Sequence, residues 1–345
     1  VSVPELNPEA AARQPPAGRP DLVRALGAAW PWLFLFTLLV FFEVWARASY
    51  QTSFVFNLTN VQSILLAAVQ PLLIALGQTL VIIAGGIDLS VGFTVGLAAV
   101  VSARVMQTLD PSLPPALSLL LAIVVALLAS LGVGWVNGIL IARWKVPPFI
   151  GTLGMYGVAR GLGFLTSGGT TVGTDNPVNS ALGNGKMFGL VPWPVVVTFL
   201  VVLYVHYLLS RTKFGQYTYA IGGNRNAAIR AGINVDAHTM KLYLITAVLA
   251  GVAGAIYTAR FTAGAAQAGE PTLLDSIAAV VIGGASLFGG AGTVVGTVIG
   301  ALIIAVIQFG LVFINVQPFW QFIAVGAVII LSVLVDQART RRGRT

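Results

Sequence analysis

Thr79–Gly92, TLVIIAGGIDLSVG, is an apolar run broken by a glycine pair, a carboxylate and a hydroxyl, then resumed as a second apolar run. Helix breakers and a charge at bilayer depth are costly unless they lie at a gate or line a cavity, so the stretch predicts a membrane protein that moves a solute. The rest of the chain agrees. Of its 345 residues 57% are hydrophobic and only 9% charged, far less charge than a soluble domain uses. Several apolar runs are long enough to cross about 30 Å of hydrocarbon. The formal net charge of +8 does not read as nucleic-acid binding, because the basic residues sit in short loops and tails rather than on one continuous face. The lack of cysteine excludes disulfides, thiolate metal sites and cysteine nucleophiles within these residues.

Apolar runs and turn residues predict an all-α, polytopic membrane bundle of about ten helices, some broken or short. The spans fall at roughly 28–46, 61–84, 87–106, 116–144, 149–167, 190–209, 240–260, 275–289, 292–314 and 318–335. The fourth is too long for a straight crossing and the eighth too short. Residues 28–336 read as one transmembrane domain. Residues 1–27, proline-rich and without a leader pattern, read as a disordered cytosolic tail, and 337–345 as a basic one. An even number of spans puts both termini on one side. Arg13, Arg19, Arg24, Arg143, Lys145, Arg211, Lys213, Arg225, Arg230, Lys241, Arg339, Arg341, Arg342 and Arg344 then share that side, 14 of the 19 Lys and Arg residues. The positive-inside rule makes it the cytosol.

The stretch IGGASLFGGAG (282–292) echoes the AGGIDLSVG break. Paired glycine-interrupted segments point to a site between two halves of a transporter; simple tight turns explain them equally well. Between the sixth and seventh spans, residues 211–241 form the longest basic-side loop. Gly222 and Gly223 predict a turn, Asn224 or Asn226 a cap, and Ala227–Ala231 a short helix ended by Gly232. Such a helix suits docking to a soluble partner, and its arginines suit anionic lipid; both readings stay open.

Polar groups inside apolar spans are the candidates for a path or gate. Arg160 lies roughly 17 Å along the fifth helix and needs a partner or water. Asp88, just before Ser90, is placed to cap the third helix. Asn137 and Gln308 serve as interhelical glue or as solute contacts. The polar outer loop 167–189 reads as a solvated loop or as a contact for an external partner. There is no G-x-x-x-x-G-K-[ST] phosphate loop, so energy must come from elsewhere.

Three motifs in order, GGIDLSVG (85–92), FGQYTYAIGGNRNAAIRAGINV (214–235) and LDSIAAVVIGGASLFGGAGTVVGTVIGALI (274–303), resemble the ribose-type sugar permeases of bacterial ABC importers. The resemblance runs from about Asn57 to Asp336 and implies a permease of the cytoplasmic membrane rather than an enzyme. It further implies a second permease subunit, two ATPase subunits that hold the ATP and magnesium, a sugar-binding protein that delivers a monosaccharide, and no cofactor in this chain. By position, the segment Gly223, Asn224, Arg225, Asn226, Ala227, Ala228, Gly232, Ile233 and Asn234 would be the coupling helix that enters the ATPase. Arg225 and Asn226 depart from the family, whose members often carry an acidic residue there. Importers of branched-chain amino acids or nucleosides are the nearest alternatives. An ion-coupled carrier has only Asp88 as a serious buried carboxylate, and a lipid-processing enzyme lacks a nucleophile or acid–base pair.

Overall fold

The structure, a computed structural model, describes residues 22–317 and 319–342. All ten expected spans are helices: α1 (Leu22–Tyr50), α2 (Leu58–Ile83), α3 (Val91–Leu109), α4 (Pro115–Gly138), α5 (Pro148–Ser167), α7 (Trp193–Arg211), α10 (Val235–Phe261), α11 (Glu270–Ile282), α12 (Val294–Phe313) and α13 (Phe319–Arg342). Three short helices complete the set: α6 (Pro177–Asn184), α8 (Lys213–Gly223) and α9 (Arg225–Arg230). Among the described residues seven of the long helices are apolar and long enough to cross a membrane; α5, α11 and α13 are not among them, and α11 has only 13 residues.

The spans differ sharply in burial, and hydropathy does not rank them. The most apolar windows of α2 and α3 are 83% and 72% buried, against 17% for α1 and 22% for α7. The central helices carry Gly and Ala where backbones meet: a Cβ on Gly254 would lie 2.5 Å from the Val95 carbonyl oxygen, which fixes α10 against α3. Small residues at such crossings let helices approach closely where water offers no hydrophobic drive. α1 is held on the outside by an aromatic cluster, with Phe42 and Phe54 stacked at 5.1 Å and Phe54 edge-on to Phe313 at 5.2 Å.

Four expectations are revised. The overlong fourth span ends in a π-helical turn, Ile139–Arg143, rather than in regular helix. The outer loop is packed: β1 (Val172–Gly173) pairs with β4 (Ala263–Gly264), β2 (Lys186–Met187) with β3 (Val191–Pro192), and buried Asn179 donates to the Thr258 carbonyl at 3.2 Å. In the basic-side loop α8 precedes the expected short helix. α1 begins at Leu22, inside the expected tail, whose first 21 residues lie outside the described ones. At the other end α13 continues to Arg342; the remainder of that tail, 343–345, is also outside the described residues.

Candidate functional site

The two glycine breaks and the Gly222–Gly223 pair, far apart in sequence, meet at the basic end of the bundle. The Gly290 amide donates to the Ile83 carbonyl at 2.8 Å. A Cβ on Gly289 would stand 2.9 Å from the Gly222 carbonyl oxygen and 3.1 Å from the Gly85 Cα, so three backbones touch where no side chain fits. Tyr219, on α8, latches the same junction by donating to the Gly292 carbonyl at 2.7 Å. Burial pushes its hydroxyl pKa up, which keeps that donor protonated.

The echo between the breaks has a local cause. α2 ends with Gly85 N donating to Ile82 O and Gly86 N to Val81 O; α11 ends with Gly284 N to Val281 O and Ala285 N to Val280 O. Each is the same left-handed C-terminal cap, with Gly85 at φ +83 and Gly284 at φ +87. The breaks are therefore tight helix ends.

The expected coupling segment hangs from this junction. The Asn224 side chain caps α9 by accepting from Ala227 N at 2.9 Å. Gly232, at φ +81, closes it: Gly232 N donates to Ile229 O and Ile233 N to Ala228 O, a third copy of the cap. Asn234 then caps α10 through Ala237 N. Gly223, Arg225, Asn226, Ala227 and Ile229 are exposed, whereas Ala228 is buried in the chain's own small core with Ile221, Val235 and Ile233. Its small size thus serves internal packing.

The other candidates divide into three places. Asp88, Ser90 and Asn137 are all buried and hydrogen-bonded in series: Asp88 Oδ1 accepts from Ser90 N at 2.9 Å and Ser90 Oγ at 2.6 Å, and Asn137 Nδ2 donates to Ser90 Oγ at 2.8 Å. This ties α4 to the turn entering α3; Asp88 does not cap the helix as expected, because α3 starts after Ser90 with no side-chain cap and the carboxylate closes the preceding turn instead. Gln308 Nε2 donates to Asp275 Oδ2 at 2.8 Å, joining α12 to α11. Arg160 stands alone on an exposed face of α5, its guanidinium 5.3 Å from the centre of the Phe93 ring and 5.9 Å from that of Phe164. Gly154, Gly157 and Gly161 open the same helix, with nothing within 4 Å of a Cβ at any of them.

Sequence reading missed several supporting groups. Gln78, within an apolar run, grips the Asp88 peptide with both ends of its amide. Tyr156 and Glu270 meet beside the Arg160 face at 3.5 Å. Among the described residues no cluster of His, Cys, Asp or Glu could hold a metal ion.

The chain matches the family model described as branched-chain amino acid transport system / permease component over residues 60–333. It is 38% identical to the ribose import permease protein of Escherichia coli over 288 residues, covering 82% of this chain and 87% of that protein. It is 35% identical over 321 residues to the fructose import permease protein of Rhizobium meliloti, covering 90% and 85%. Against the galactose/methyl galactoside import permease protein of Escherichia coli it is 34% identical over 301 residues, covering 83% and 88%. No solved structure matches. A bundle of apolar helices with glycine-capped breaks and a capped knob at one end, matched along most of its length, thus belongs to the family of transport-system permease components, and the protein is a multi-pass membrane protein.

Proposed function

We propose that this chain is the membrane-spanning subunit of a bacterial ABC importer for a monosaccharide. The observation that carries the proposal is α9, a six-residue helix capped at both ends, exposed at the basic end and rooted beside the junction where α2, α8 and the 283–292 turn meet. In this reading the basic end and both termini face the cytosol of a bacterium's inner membrane. Two ATPase subunits, which bind the ATP and magnesium, receive α9 from this chain and from a second permease subunit. A binding protein on the opposite side delivers the sugar.

ATP-driven closure of the partners would push α9 against the glycine junction, where rigid helix ends abut without intervening side chains, and rock the two membrane subunits against each other. The exposed α5 face, with Arg160 and the neighbouring Tyr156 and Glu270, lines the path between them. A guanidinium at that depth facing acyl chains would be costly, and facing a wet path it is not. Sugar rather than a branched-chain amino acid is favoured by the named specificities of the curated relatives, for ribose, fructose and galactose.

Reconstitution tests this. Liposomes holding the permease, its partner ATPase and binding protein should take up a labelled monosaccharide only with ATP. Uptake by the permease alone without ATP would overturn the proposal, and uptake of leucine but no sugar would redirect its substrate.

A further inference from the structure

The turn that joins α4 to α5 closes on a left-handed residue, with Val146 N donating to the Leu140 carbonyl at 2.9 Å across it, a helix cap made by a lysine where glycine serves elsewhere in the chain. Lys145 has φ +58, a left-handed backbone that costs a non-glycine residue free energy, and it follows directly on the π-helical turn Ile139–Arg143 and Trp144. Its ammonium donates to the Ala142 carbonyl and to Asp236 Oδ1, each at 2.5 Å. Asp236 sits in the first turn of α10 and also accepts from Arg225 Nη2 at 3.4 Å. Arg225 is the first residue of α9, and Pro148, three residues beyond Lys145, is the first residue of α5.

One carboxylate therefore joins the start of the expected coupling helix to the turn that launches the helix bearing Arg160. Around it lies a groove of about 560 Å³, walled on one side by Val146, Pro147 and Pro148 and on the other by Ile229 and Ile233. The ion pairs cannot be explained by stability. Both lie at the surface, with Lys145 and Asp236 side chains 54% and 48% exposed, where such pairs contribute about 0–1 kcal/mol. The left-handed backbone belongs to the cap that ends the π-helical turn, and it aims the ammonium at Asp236, so the weak exposed pair fixes position rather than adding stability.

We infer that Lys145 and Asp236 are positioning residues that tie α9 to α5, so that a displacement imposed on α9 by the ATPase is delivered to the path through the α4–α5 turn. The inference rests on the permease reading above. The Lys145–Asp236–Arg225 contacts carry the push across the groove from the start of α9 to the α4–α5 turn.

The test uses the complete complex of permease, ATPase and binding protein in liposomes, with sugar uptake and ATP hydrolysis read together. Lys145→Ala and Asp236→Ala should lower uptake per ATP hydrolysed by about two- to fivefold, the upper part of the range an exposed pair can supply, with the ATPase still co-purifying. Lys145→Arg should keep most of the coupling, and Asp236→Glu, which keeps the carboxylate facing both Lys145 and Arg225, should keep part of it. Lys145→Gly accepts the left-handed backbone and lacks the ammonium, so it should fold as wild type yet be uncoupled like Lys145→Ala. Normal coupling in Lys145→Gly, a Lys145→Arg variant no better than Lys145→Ala, or loss of the ATPase from the complex would each overturn the inference. Wild-type complex without ATP-dependent uptake would instead overturn the permease reading.

Discussion

The Gly290 amide lies 2.8 Å from the Ile83 carbonyl, so the second glycine break is hydrogen-bonded to the last turn of the helix that precedes the first. Gly222 is wedged into that bond. A Cβ there would run into the Ile83 carbonyl oxygen and stand 2.6 Å from the Gly290 nitrogen, both backbone atoms that cannot turn aside. Gly222→Ala should therefore cost about 1–3 kcal/mol by overpacking and depress uptake. Its neighbour is the control: a Cβ on Gly223 meets nothing within 4 Å, so Gly223→Ala should unfold at the wild-type temperature. Thermal unfolding of the two purified variants in detergent, followed by circular dichroism, checks the contrast.

Asp88 separates an importer from an ion-coupled carrier. Its Oδ1 takes both hydrogen bonds from Ser90, and a neutral asparagine offers the same carbonyl oxygen. Asp88→Asn should keep the turn and leave ATP-driven uptake within about twofold of wild type, since the two Ser90 donors need an acceptor rather than a charge. Asp88→Ala, which strands the Ser90 donors in a buried site, should cost about 1–3 kcal/mol. Abolished uptake in a stably folded Asp88→Asn would point to a titrating carboxylate and against a purely structural role in the turn.

The legible part of this protein was the part written in hydrophobicity and helix punctuation. Ten spans, the short eleventh helix and the α9 cap at Asn224 and Gly232 follow from apolar length and local backbone chemistry, which act within one segment. The echo of the glycine breaks was visible too, but not its meaning, because identical caps on α2 and α11 say nothing about where those ends lie until the chain is folded. α8 was missed because Gly215, Gly222 and Gly223 weaken it as an isolated helix, and packing against α7, α10 and the junction holds it instead. The grip of Gln78 on Asp88 and the Lys145–Asp236 contact span 10 and 91 residues of sequence, and no periodicity reports such pairs.

Gly232 should be the most sensitive position in the α9 segment. Its φ of +81 makes alanine there cost about 1–2 kcal/mol, enough to fray a six-residue helix with little else to hold it. Global unfolding should move little, because α9 is peripheral, while ATPase co-purification and ATP-driven uptake both fall. Asparagine tolerates the left-handed region better than alanine does, so Gly232→Asn should lie between the two. Pull-down of the ATPase by each variant orders them; equal recovery from all three would detach α9 from docking.

Arg160 decides whether the exposed face of α5 meets solute. Its visible contacts are the faces of Phe93 and Phe164, worth about 0.5–1 kcal/mol each at an exposed site. Arg160→Met keeps the stem and removes the charge, so thermal stability should shift by no more than these contacts allow. If the face lines the path, uptake should fall about tenfold, the effect of roughly 1.4 kcal/mol lost from the transport barrier. Arg160→Lys should restore part of it, since a cation is retained while the planar fork that can grip two hydroxyls at once is lost. A variant that unfolds early but transports normally would make Arg160 a packing residue and leave the path to other helices.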